Sequence, residues 1–122
     1  MNNVFSFEKL EVYKKSLRLS IQICRLASSF DYKYQRIRDQ LIGAIISIPL
    51  NIAEGSGRNY NKEKIQFYKI ARASLFECLP ILEISYNIDL ISVDQKNFIR
   101  NELTEISKMI SGLIKYLKIP NP

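Results

Sequence analysis

Two cysteines, two glutamates on helical spacing and a glycine-flanked turn are the residues of this 122-residue chain whose types and spacing could do chemistry. Ser47, Asn51 and Glu54 stand at i, i+4 and i+7, which sets a hydroxyl, an amide and a carboxylate on one helix face. Ser74 and Glu77 form a matching set further along, with Arg72 close by. Antiparallel packing of the two segments would turn Glu54 and Glu77 into a carboxylate pair, an arrangement suited to general acid–base work or to holding a cation. The same residues, together with Pro49, Gly55 and Arg58, would equally make a polar network that fixes helix register, an arginine neutralising a glutamate. The network reading is preferred, because nothing accompanies the pair. Histidine is absent, which removes imidazole catalysis, histidine ligation of metals and a histidine pH switch. Gly55-Ser56-Gly57 resembles a phosphate cradle, yet it follows a helical pattern instead of a strand and is read as a helix stop. Cys24 and Cys78 fit neither CxxC nor zinc spacing and read as buried thiols of a reducing compartment. No catalytic residue, metal ligand or cofactor is assigned, and a non-enzymatic protein is expected.

The elements that must position these residues are helices. A mass of 14.2 kDa with 47% hydrophobic and 25% charged residues suits one globular domain over 1–122. The spacing predicts helices over about 7–29, 32–55, 62–88 and 93–118, with no strand pattern of useful length. Their apolar stripes are Leu10, Tyr13, Leu17, Ile21, Cys24 and Ala27; then Ile37, Leu41, Ala44 or Ile45, Ile48 and Ile52. The third runs Ile65, Tyr68, Ala71, Leu75, Leu79, Leu82 and Tyr86, and the fourth Ile99, Leu103, Ile106, Ile110, Leu113 and Leu117. Ser6 and Asn61 are expected as N-caps, with Phe5–Leu10 and Tyr60–Ile65 as hydrophobic staples. Ser92 and Gln95 have the spacing of a capping box, and Pro120 and Pro122 bar any continuation. Short connections make consecutive helices antiparallel neighbours. The expected fold is all-α, an up-down-up-down four-helix bundle with helices kinked near Pro49 and Pro80.

Eighteen Lys and Arg against twelve Asp and Glu leave +6 and a pI near 9.4, which favours an anionic partner. Residues 1–30 carry +3 and residues 91–122 carry +2, so the excess lies on the outer helices. Lys15, Arg18, Gln22 and Arg25 make one row, and Lys108, Ser111, Lys115 and Lys118 another. With Lys14, these basic residues are the candidate contacts to an RNA or DNA backbone. Tyr32, Tyr34, Tyr60 and Phe98 are candidates to stack on bases. Ile42, Ile46 and Leu50 on the second helix, and Phe67, Ile70 and Phe76 on the third, form additional apolar faces that point to self-association. A structural or adaptor oligomer that docks a protein partner is the alternative. The longest apolar stretch, Ile42 to Leu50, is broken by Gly43, Ser47 and Pro49 and is shorter than the ~20 residues of a membrane span. Residues 1–5 lack a signal-peptide pattern, and a cytoplasmic location is expected.

Gln40-Leu41, the run from Ser47 to Arg58, the run from Ile70 to Glu77 and the opening Phe7-Glu8-Lys9-Leu10-Glu11-Val12-Tyr13 carry a family resemblance. The chain resembles the four-helix-bundle proteins encoded in intervening sequences of 23S ribosomal RNA genes, the S23 family. Accessory variability determinant proteins of diversity-generating retroelements are relatives of that family. The resemblance implies a ring-like homopentamer with no enzymatic activity. In the retroelement branch it implies a basic surface that binds nucleic acid and a reverse transcriptase. The chain departs from the family pattern at Ile42 and Gly43, where arginines are common, at Ala73, where glycine is frequent, and at Leu79, where a second glutamate stands.

Overall fold

Three connections of four or five residues (28–31, 57–60 and 88–92) join the helices of the computed structural model, which describes residues 5–120. The helices are α1 (Glu11–Ala27), α2 (Gln35–Ser56), α3 (Asn61–Asn87) and α4 (Val93–Leu117). Short 3-10 turns, Ser6–Lys9 and Tyr32–Tyr34, lead into α1 and α2, and no strand occurs among the described residues. Each helix packs on the next, and α1 packs on α4. Cross-links run in opposite numerical directions along neighbours: Ser47 with Ser74 and Ser56 with Tyr68, then Asn61 with Leu117 and Lys96 with Glu83. Adjacent helices so linked are antiparallel. Between them Leu19, Ile23, Leu41, Ile45, Ile48, Ile52, Leu75, Leu82, Leu103, Ile106 and Ile110 are fully buried. Each is worth about 1.5–3 kcal/mol on burial, more than the ~0–1 kcal/mol of an exposed ion pair, so apolar packing holds the helices together.

The predicted stripe of the first helix is right at its ends, where Ala27 is buried and Leu10 and Tyr13 pack against the core, but off the core face in the middle. Leu17 and Ile21 are exposed, and the core side is Val12, Ser16, Leu19, Ser20, Ile23 and Ala27. Two serines disguise that face in the sequence. Their hydroxyls are satisfied locally, Ser16 donating to the Tyr13 carbonyl and Ser20 to that of Ser16, so burial leaves no orphaned polar group. In α4 the last turns shift by one position, Ile114 being buried where Leu113 was expected.

Several helix ends also differ from expectation. Leu10 is extended, which separates the Ser6–Lys9 turn from α1 and removes the register a Phe5–Leu10 staple needs. Ser6 caps nothing; the Phe5 N–H donates to Glu8, and Phe7 meets the Tyr13 ring edge-on at 4.8 Å. Asn61 lies inside α3, whose N-cap is the exposed Tyr60 with no side-chain bond, so neither the asparagine cap nor the Tyr60 staple forms. The left-handed helix end is not at Gly55 or Gly57. It is at Asp89 (φ 64°), after which the Leu90 N–H reaches back to the Ser85 carbonyl. The Ser92–Gln95 capping box is present in both directions. Pro122 and residues 1–4 lie outside the described residues.

Pro49 and Pro80 lie inside α2 and α3. Lacking an N–H, Pro49 leaves the carbonyl of Ile45 without its i+4 donor inside a buried interface. Ser20 of α1 covers it in part: the hydroxyl, which donates most closely to the Ser16 carbonyl at 2.7 Å, lies 3.2 Å from that oxygen and shares its one hydrogen between the two. Replacing Ser20 by alanine should cost about 1–2 kcal/mol in urea unfolding. In a Pro49→Ala background, where the backbone donor returns, the same replacement should cost at least about 0.5 kcal/mol less. Equal costs in the two backgrounds would refute the partial cover of that carbonyl by Ser20.

Candidate functional site

The motif residues meet between α2 and α3. Ser47 and Ser74 hydroxyls lie 2.8 Å apart, and the Asn51 amide donates to both the Ser47 carbonyl (2.8 Å) and its hydroxyl (3.0 Å). This places a connected polar cluster beside the core, with Ser74 buried. About two helical turns on, Ser56 pairs with the Tyr68 hydroxyl at 3.1 Å, and Lys64 donates to the Ser56 carbonyl near the end of α2. Sequence reading did not single out Tyr68 or Lys64 for these contacts, since neither role leaves a spacing signal.

Gly55 sits between the two polar groups and is buried inside α2. A Cβ there would stand 2.9 Å from Cε1 of Tyr68, 3.0 Å from Cβ of Phe67 and 3.1 Å from the Lys64 carbonyl oxygen. Its glycine character serves the approach of α3 and not the helix stop read from the sequence. Gly43 differs, since a Cβ on it would meet nothing within 4 Å.

Glu54 and Glu77 are not brought together. The Ser47–Ser74 and Ser56–Tyr68 contacts set a register in which they are about seven to ten residues apart along the interface, roughly 10–15 Å. Glu54 is bonded to Arg58 at 2.6 Å, and that guanidinium also covers the Phe67 ring at 4.6 Å. Arg72 neutralises no glutamate; it donates to Ser111 of α4 at 3.2 Å. Glu77 instead lines an open polar cleft of about 680 Å³ with Arg36, Asp39, Gln40, Gly43 and Ser74. Among the described residues no three Cys, Asp or Glu side chains gather in a metal-binding cluster. Both cysteines are free. Burial pushes the Cys78 thiol up to about 12, the negative charge of Glu77 adding to the effect, so it stays protonated and unreactive at neutral pH.

The basic residues divide. Lys14 pairs with Glu11 on its own helix. Lys15, with a side chain only 17% exposed, is held between Glu102 and Glu105 of α4, 3.2 Å from each. Desolvation opposes its charged form, but hydrogen bonds and charge from the two glutamates outweigh it and raise the ammonium above its ordinary value. Lys15 is therefore a strut between α1 and α4. Arg18, Arg25, Lys108, Lys115 and Lys118 are exposed and form no ion pair among the described residues. The two rows do not run side by side. Lys15 lies opposite Glu102, and Gln22 with Leu26 lies beside Gln95 and Phe98, so Lys108, Lys115 and Lys118 continue past the start of α1. No helix of the described residues is long and apolar enough to cross a membrane.

On the outer side of α1 and α2 runs an apolar groove of about 610 Å³. Leu17, Ile21 and Cys24 form one wall, and Ile46, Pro49 and Leu50 the other. Leu50 is 62% exposed here, and Ile70 and Phe76 stand exposed on α3. Ile42 is partly buried against the core and Phe67 lies under Arg58, so neither belongs to a free face.

Fold and motif together define a small protein of four packed helices whose second and third members are locked by a serine–asparagine cluster and a glycine contact. Within that class the chain belongs to the 23S rRNA-intervening sequence protein family, whose model matches residues 8–112. It is similar to the crystal structure of a protein of unknown function from the S23 ribosomal protein family of Bacteroides thetaiotaomicron. That similarity has a TM-score of 0.80 and 26% identity over 85% of this chain and 95% of the other. No curated protein matches the chain.

The two glycines of α2 should respond in opposite directions to alanine. Gly55→Ala forces α2 and α3 apart and should destabilise by about 1–3 kcal/mol despite alanine's better helix propensity. Gly43→Ala should stabilise by up to about 1 kcal/mol. Thermal unfolding followed by circular dichroism reads both, and a stabilising Gly55→Ala would overturn the close-contact role.

Proposed function

We propose that this protein is a non-enzymatic, homo-oligomeric helical bundle that holds nucleic acid on a basic surface. The observation that carries the reading is that Arg18, Arg25, Lys108, Lys115 and Lys118 are exposed and free of ion pairs among the described residues, in a chain of net charge +6. Cations left unpaired at a surface attract a polyanion by releasing its counterions, a sequence-independent term. Self-association is supported by the exposed Leu17, Ile21, Ile46 and Leu50, because a monomer would leave this groove in water. The family resemblance implies five copies. Two free thiols suit a reducing, cytoplasmic setting. The same groove favours a second reading, an adaptor that seats another protein such as a reverse transcriptase.

Fluorescence anisotropy with a labelled mixed-sequence RNA tests the first reading. Binding should weaken steeply as salt rises. Replacing Arg18, Arg25, Lys108, Lys115 and Lys118 together by glutamine should cut affinity at least about tenfold and flatten the salt dependence. Lys15→Gln should leave binding nearly unchanged, because that charge is already engaged. Salt-independent binding, or a five-site variant that binds as well as the parent, would overturn the nucleic-acid role. In light scattering the parent should form an oligomer that Leu50→Glu dissociates; an oligomeric parent that binds no RNA favours the adaptor.

A further inference from the structure

One hydrogen bond gathers two chemically similar segments at one end of the helices. The Asn61 amide, in the first turn of α3, donates to the Leu117 carbonyl at the end of α4, 3.3 Å away. Tyr60 and Lys62 flank Asn61, and Tyr116 and Lys118 flank Leu117, so the bond joins two Tyr-x-Lys segments. Both tyrosines are 70% exposed, and both lysines are exposed without an ion pair among the described residues. With adjacent Cα atoms 3.8 Å apart, the two tyrosine backbones lie within about 17 Å of each other. Beside them a recess of about 380 Å³ is lined by Arg58, Lys62, Glu63, Gln66 and Phe67.

The charges at this end are uneven. Arg58, Lys62, Lys64, Lys115 and Lys118 stand against Glu54 and Glu63, a net +3, and Glu54 is already neutralised by Arg58. The opposite end holds Arg25, Lys33, Arg36, Arg38 and Lys96 against Asp31, Asp39, Glu83, Asp89 and Asp94, a net charge of zero. Three of its cations are engaged within the protein: Lys33 lies over Tyr34, Arg38 pairs with Asp39, and Lys96 lies over Tyr86 and near Glu83. Exposed aromatic faces and unengaged cations also occur at the opposite end, at Tyr32, Phe98, Arg25 and Arg36, but there the acidic residues balance them, whereas the Tyr60–Tyr116 end keeps a net positive charge.

The geometry points to this end as a seat for single-stranded nucleic acid, with Tyr60 and Tyr116 stacking on bases while Lys62, Lys115 and Lys118 hold the phosphates. This deepens, and rests on, the nucleic-acid reading above. A duplex keeps its bases stacked on one another and offers the tyrosines no faces, whereas a single strand offers them readily. The seat is tolerant of sequence, since every base has a face to stack.

Anisotropy titrations of the full chain with labelled oligo(dT), oligo(rU) and a duplex of equal length test it. The parent should bind both single strands more tightly than the duplex. The chain has no tryptophan, so tyrosine emission should fall as a single strand binds. The double variant Tyr60→Leu, Tyr116→Leu keeps every charge and should lose at least about tenfold in single-strand affinity while duplex binding stays within about twofold. The double variant Lys62→Gln, Lys118→Gln should weaken all three probes and flatten their salt dependence. Circular dichroism of each variant checks that the helices persist. Equal binding of duplex and single strands by the parent, or a tyrosine variant that binds single strands as the parent does, overturns the seat while leaving the general nucleic-acid role standing. Binding of none of the probes overturns both.

Discussion

The close approach of α2 and α3 at Gly55 is the constraint on which the rest of the structure depends. With no side chain at that point, the backbone of α2 lies against Tyr68, Phe67 and the Lys64 carbonyl. The hydrogen-bonded cluster of Ser47, Ser74 and Asn51 fixes how far one helix slides along the other. The two devices divide the labour. The glycine sets distance, and the serine–asparagine cluster sets register, since a slip by one turn would strand buried hydroxyls without partners. Once that hairpin is set, the outer faces of α2 and α3 define where α1 and α4 can lie. Arg72 then reaches Ser111, and Asn61 reaches Leu117.

Much of this was legible in the sequence, for identifiable reasons. The core stripes of α2 and α4 are mainly isoleucines and leucines, and the Ser92–Gln95 box is local chemistry that needs no tertiary context. The spacing of Ser47, Asn51 and Ser74 also put these polar residues on facing helix surfaces, where their side chains meet. What escaped were several features that depend on a neighbouring helix. Ser16 and Ser20 look like surface residues, yet they face the core because small hydroxyls bonded to nearby carbonyls permit close packing. Gly55 reads as a helix stop unless Tyr68 is known to lie against it. Asn61 has the composition of a cap and spends its amide on another helix.

Charge follows the same logic. Counting residues along the chain locates a basic excess on the outer helices, but pairing decides which part of it faces a ligand. Glu102 and Glu105 consume Lys15 and interrupt the continuity of the two rows, whereas the α3–α4 corner keeps its lysines free. A bulk value of +6 thus becomes a polarised molecule with one cationic end and one nearly neutral end.

The hydroxyl of Ser20 reaching the ladder of α2 at Pro49 ties together positions that are 29 apart in the chain. A proline in a buried helix opens a carbonyl, and the Ser20 hydroxyl, already bonded to the Ser16 carbonyl, shares its hydrogen with it. Together they are complementary, so drift at one relaxes or penalises the other. Across related sequences this should leave a paired substitution pattern, proline accompanied by a small donor on the first helix and other residues free of that requirement. Such covariation would record the α1–α2 contact in sequences alone, at a place where hydropathy points to the wrong face.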